Sequence, residues 1–189
     1  MKKAAFLTFI LALTLAVGCR TKYGGRSQSS YIQAPGAQTL NQAEGFKVGQ
    51  VEDLSGFQFR PNDQDAFSLK EAMSAALADA LASEGLTGEG RNKVNVNILA
   101  YNPGNVFVRW ILLPGTGDTT LTVEATIVDK KGAQLANIPV DRRIFNGFTI
   151  GAYKYIFEEV AQEITEVIKD PTKTSGRKPG QAGASRNAY

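Results

Sequence analysis

The chain has 189 residues, a formal net charge of +3, one cysteine and no histidine. Without imidazole or a second thiol it excludes Ser-His-Asp and Cys-His catalysis, zinc sites built on those ligands and haem held by histidine, so no metal and no cofactor are expected. A hydrophobic content of 43% over this length is enough for one domain with its own core, and the small net charge carries no nucleic-acid signal.

The first stretch fixes location. Lys2 and Lys3 precede an apolar run over residues 4–17, and Gly18 follows. A short cationic start, an apolar core of about 7–15 residues and a small residue at the cut make a secretory signal peptide. The run is shorter than the roughly 20 apolar residues that a permanent span of the bilayer needs. The stretch Leu15-Ala16-Val17-Gly18-Cys19 then resembles the lipobox of bacterial lipoproteins. That resemblance implies cleavage between Gly18 and Cys19, diacylglycerol on the sulfur and acylation, such as palmitate, on the new amino group. Each buried methylene contributes about 0.8 kcal/mol, so two or more chains make dissociation slow. Arg20 next to the cysteine implies, by the same resemblance, passage to the outer membrane in a Gram-negative cell, and otherwise an anchor in the cell membrane.

Residues 19–43 are rich in Gly, Ser, Gln and Ala, and read as a flexible tether with a reach of roughly 25–30 Å. A single domain is expected over residues 44–170. Its first strand covers 46–54 and closes at Ser55-Gly56. Ser68 with Glu71 forms a capping box behind Phe67 in the staple position. Leu69, Met73, Ala76, Leu77, Ala80 and Leu81 then share one helix face, and Gly85 ends the helix.

Val94, Val96, Ile98 and Ala100 alternate with Asn95, Asn97, Leu99 and Tyr101, a strand with one buried face. The intervening helix lets it pair in parallel with the first through a right-handed crossover. Residues 106–114 form the most apolar segment after the leader, read as a further strand. Alternation resumes through Leu121, Val123, Ala125 and Ile127. Asp129-Lys130-Lys131-Gly132 turns into a strand over 133–140, which Pro139 places at a sheet edge. A last amphipathic helix over 149–168 buries Ile150, Tyr153, Phe157, Val160, Ile164 and Ile168, and turns Glu158, Glu159, Gln162, Glu163 and Glu166 outward. Residues 171–189 read as a basic disordered tail.

This order predicts an α+β fold, a mixed sheet of four to five strands with two amphipathic helices on one face. The residues Tyr101-Asn102-Pro103-Gly104-Asn105, Arg109, Gly115-Thr116-Gly117, the strand from Leu121, Gly132 and the closing helix resemble a family of bacterial envelope lipoproteins of unknown function. More distantly, Val51-Glu52-Asp53-Leu54-Ser55-Gly56 followed by an amphipathic helix is similar to domains of lipoproteins that activate penicillin-binding proteins or build the curli secretion channel. That likeness implies envelope assembly by analogy of fold.

Charge is unevenly spread. Between residues 27 and 168 there are 11 basic and 17 acidic side chains, a net −6, flanked by basic ends. Those ends suit an anionic headgroup or cell-wall surface, and equally suit solvation.

Carboxylates are the remaining means of catalysis. Glu52 and Asp53 point to opposite faces of a strand, Asp63 and Asp65 lack the next ligand of a calcium loop, and Gly115-x-Gly117 precedes a strand rather than a helix. The candidate binding surface is instead Phe107, Arg109, Trp110 and Leu112, residue types that dominate binding hot spots. The expectation is a non-enzymatic binding or assembly module facing the periplasm. Its partners would be the membrane through the lipid, an envelope protein or peptidoglycan, and further copies of itself. A carboxylate-dependent cell-wall glycan hydrolase is the alternative.

Overall fold

The computed structural model describes residues 25–34, 40, 44–60, 66–88, 92–104, 118–144 and 152–172, those at 25, 26, 152 and 153 by backbone alone. In chain order the elements are β1 (Gly25–Ser29), β2 (Ile32–Gln33), β3 (Phe46–Asp53), α1 (Leu69–Ser83), β4 (Asn92–Asn102), β5 (Thr119–Val128), β6 (Gln134–Ile144) and α2 (Ala152–Lys169). They form a mixed six-stranded sheet in the order β1-β6-β5-β4-β3, with β2 also on β6. The α+β architecture with two helices is therefore as the sequence implies.

Alternation builds the sheet. In β5 every second residue from Thr119 to Ile127 is buried, and its neighbours are half-exposed. Strands β3 and β4 pair in parallel, as the crossover through α1 requires, and the remaining pairs are antiparallel. Residues Leu69, Met73, Leu77 and Leu81 of α1 and Ile156, Val160, Ile164 and Ile168 of α2 meet Val94, Val96, Ile98, Leu121, Val123 and Ile138 in one core. Both helices thus lie on one side of the sheet. Ser68 Oγ accepts the Glu71 amide at 3.2 Å, and the chain leaves α1 through Gly85 at φ 66°. Only glycine takes that left-handed position without strain.

Four details differ from expectation. Residues 25–29 and 32–33, inside the stretch read as tether, are strands that add to the sheet and raise its count to six. Strand β6 is therefore interior, not an edge. Pro139 is accommodated because its missing N–H falls where the outer neighbour is broken: Ser30, between β1 and β2, donates to the Pro139 carbonyl at 3.3 Å. A bulge between Ile98 and Ala100 shifts the phase of β4, so Tyr101 is buried and Ala100 exposed. Glu159 and Glu163 do not simply face solvent but reach Arg142 on β6 and Ser27 on the edge strand β1.

The far side of the sheet is polar and, among the described residues, no helix covers it. Asn137 Nδ2 donates to Glu124 at 2.6 Å, Thr122 Oγ1 to Asp141 at 3.3 Å, and the Gln50 amide to Asn95 at 2.8 Å.

Candidate functional site

The two helices run side by side in the same direction: Phe67, before α1, meets Phe157 near the start of α2, and Glu84, after α1, meets Lys169 at its end. The large side chains of α1 point down into the sheet. Toward α2 it offers Ala72, Ala75, Ala76 and Ala80, whose methyl groups leave the upper seam unfilled. The result is a groove of about 810 Å³, bordered by Glu71, Asp79 and Glu84 on one wall and Lys154, Glu158 and Gln162 on the other. Its volume lies within the roughly 300–1,000 Å³ of ligand pockets. Glu71, Asp79 and Glu158 are exposed and, among the described residues, make no ion pair. Glu84 is bridged by Lys169 at 2.5 Å. The rim is thus four carboxylates against one lysine.

One end of the groove is aromatic. Phe57, Phe59, Phe67, Tyr101 and Phe157 form a connected cluster, with ring centroids 5.0 Å apart for Phe57–Phe59 and Phe59–Phe67, and 5.5 Å apart for Tyr101–Phe157. Phe67 was expected to staple its own helix. Its ring also reaches α2, where Lys154 Nζ lies 5.4 Å from the ring centre.

The same end of the sheet carries the segment read as a binding surface. Phe107, Arg109, Trp110 and Leu112 lie outside the described residues, as do Gly18, Cys19, Asp63, Asp65, Gly115 and Gly117. The points between which residues 105–117 run are nevertheless fixed. Thr119 Oγ1 donates to the Pro103 carbonyl at 2.9 Å, stapling the end of β4 to the start of β5. Asp118, with a side chain 5% exposed, accepts from Arg143 Nε at 2.7 Å and from Nη2 at 2.6 Å. Since Tyr101 also touches Phe67 and Phe157, the end of β4 and the start of β5 lie beside the aromatic end of the groove.

The other described acids have structural duties. Asp53 Oδ1 accepts from the Ser55 amide and hydroxyl at 3.0 and 2.6 Å, turning the chain after β3, while Glu52 is exposed on the opposite face. Arg142, on the helix side of β6, donates to Glu159 at 2.6 Å. Asp129 Oδ1 accepts the amides of Lys131 and Ala133 and closes the β5–β6 hairpin.

The groove was not foreseen. Ala76 and Ala80 were assigned to the core stripe, and they do border the core, but with Ala72 and Ala75 they also floor the groove. The available signal was the density of alanine on one flank of α1, which sets how closely a neighbouring helix can fill the seam.

A family profile described as a domain of unknown function, DUF4410, matches residues 37–148. No protein of curated function matches the chain. Among solved structures, the PelC dodecamer from Paraburkholderia phytofirmans and a point variant of it are similar at 12% identity, with TM-scores of 0.45 and 0.44. Each comparison covers 77% of this chain and 97% of that chain.

Proposed function

The chain belongs to the DUF4410 family, and we propose that it is a lipid-anchored, non-enzymatic binding or assembly module of the bacterial envelope that faces the periplasm. The observation that carries this reading is Cys19, the only cysteine, set directly behind an apolar leader and a small residue. An exported lone thiol has no disulfide partner within its own chain, and acylation accounts for it. The likeness to envelope-assembly lipoproteins expected from residues 51–56 belongs to the same proposal.

The binding surface we assign is the aromatic end of the groove together with the segment bearing Phe107, Arg109, Trp110 and Leu112. Support comes from Pro103 and Asp118, the described residues on either side of that segment, which are held near Tyr101 at the aromatic end of a groove of ligand size. Against a glycan hydrolase stands the use of Asp53, Asp118, Asp129 and Glu159 in turns and ion pairs.

The test is cross-linking in intact cells followed by pull-down. The unaltered chain should fractionate with membranes and retain a reproducible partner; Cys19→Ser should release it from the membrane fraction. The double variant Arg109→Ala/Trp110→Ala should stay on the membrane and lose the partner. Retention of every partner by that variant overturns the surface, and an unmodified thiol at Cys19 in mass spectrometry overturns the anchor.

A further inference from the structure

We propose that the groove between α1 and α2 is occupied by this chain's own basic tail, residues 173–189. This goes beyond the reading above and holds whether or not Cys19 carries lipid.

The first argument is where the chain leaves the fold. Helix α2 ends at Lys169, whose Nζ bridges Glu84 at 2.5 Å, and Asp170 then turns the chain by accepting from the Thr172 amide at 3.1 Å and hydroxyl at 2.5 Å. The described chain therefore ends three residues past Lys169, at the Glu84 end of the groove wall.

The second argument is reach. From Ser68 to Glu84 the groove wall is about 24 Å long at 1.5 Å per helical residue. Seventeen residues, 173–189, extend to at most about 56 Å at 3.3 Å each. A tail doubling back along the groove covers it with slack.

Charge is the third. Residues 173–189 contain Lys173, Arg177, Lys178 and Arg186 and no acidic side chain. Measured back from Glu84, Asp79 lies about 7 Å along the wall and Glu71 about 20 Å, and on α2 Glu158 lies about 17 Å back from Lys169. In an extended tail Lys173 sits a few ångströms from Thr172 and Arg177 and Lys178 about 17–20 Å from it. The first cation thus falls near Asp79, and the pair falls level with Glu71 and Glu158. Long cationic side chains absorb the remaining mismatch.

The last is shape. The floor is methyl groups, which leaves room for a backbone to lie along it, and residues 173–189 are mostly Gly, Ala, Ser and Thr apart from their cations.

Zero-length carbodiimide cross-linking of the purified full chain tests this, using an equal mixture of ¹⁴N and ¹⁵N protein to separate links within one molecule from links between two. The expected result is Lys173 and Lys178 joined to Asp79, Glu158 or Glu71 within one molecule. Asp79→Lys/Glu158→Lys should reduce those links at least tenfold, with folding checked by circular dichroism. Lys173→Glu/Arg177→Glu/Lys178→Glu, which alters only the tail, should expose Asp79 and Glu158 to labelling by a soluble amine with the same carbodiimide. Absence of groove links, links mainly to a second copy, or links mainly to Glu52 and Glu124 on the far side of the sheet would each overturn the proposal. So would loss of the groove links when phosphatidylglycerol vesicles are added, which would assign the tail to an anionic surface.

Discussion

Replacing Arg143 with alanine should unseat a carboxylate that has almost no access to water. Asp118 is 5% exposed at its side chain, and one of its oxygens accepts both Nε and Nη2 of Arg143 at 2.7 and 2.6 Å. Breaking a fully buried ion pair costs about 3–5 kcal/mol, because the remaining charge is stranded. The guanidinium here is 50% exposed, so water enters the space it leaves and recovers part of that cost. A loss of about 2 kcal/mol follows, close to the roughly 1.5–3 kcal/mol of hydrogen bonds to charged groups. With a urea m-value of about 2 kcal/mol/M, the unfolding midpoint followed by far-ultraviolet circular dichroism should fall by about 1 M. Asp118→Ala removes the stranded charge, so Arg143→Ala in that background should cost much less. A single-variant loss below about 0.5 kcal/mol, or additivity within about 0.5 kcal/mol across the double-mutant cycle, would show that the pair does not hold the start of β5.

Gly45 has φ +69°, and a Cβ there would stand 2.6 Å from the Cα of Gly88. Gly45→Ala should cost about 2–4 kcal/mol, whereas Gly85→Ala, with similar φ but nothing within 4 Å, should cost only about 1 kcal/mol; equal urea midpoints would remove the backbone contact from the argument. Burial raises the pKa of Tyr31 above the ordinary phenol value. The unfolded chain therefore releases this proton first, so the tyrosine's contribution to stability is intact below about pH 10 and is lost as pH rises through the folded-state value. Tyr31→Phe should flatten the fall in urea midpoint between pH 9 and 11, and identical pH profiles would refute the assignment.

The parts of the fold legible in the sequence are those where one face of an element is buried. The strict alternation of β5, the Ser68 start and Gly85 stop of α1, and the Phe157, Val160, Ile164 side of α2 each leave a periodic trace of solvent exclusion. Strand β1 leaves none. Its residues Gly-Arg-Ser-Gln-Ser are held by backbone pairing to β6, and the one buried position described there is Ser29, a hydroxyl residue. Pro139 misled because a proline forbids a ladder bond only on the side to which its nitrogen points, and here that neighbour is interrupted. Tyr101 escaped because a bulge moves the phase by one residue without changing composition. The groove was illegible for a different reason: it depends on the separation of two helices distant in sequence, while the alanines that set it are equally suited to a close-packed core.

The pairing of β1 changes what the two basic ends can do. Read as a tether, residues 19–43 would allow the domain to stand well away from a bilayer. With Gly25 paired to Ile144, only about six residues separate Cys19 from the sheet, at most roughly 20 Å of extended chain. A lipid at Cys19 would therefore hold one particular end of the sheet near the membrane: the end with Asn102, Thr119 and Ile144, where residues 105–117 begin and finish and where the aromatic cluster closes the groove. Helix α2 finishes at the opposite end, where Lys169 meets Glu84, one helix length of about 27 Å away. Both basic ends can rest on one anionic surface only if the tail travels back over the domain. The acidic seam between α1 and α2 lies along that route, so a tail seated on its carboxylates stays with the domain and not on the anionic surface.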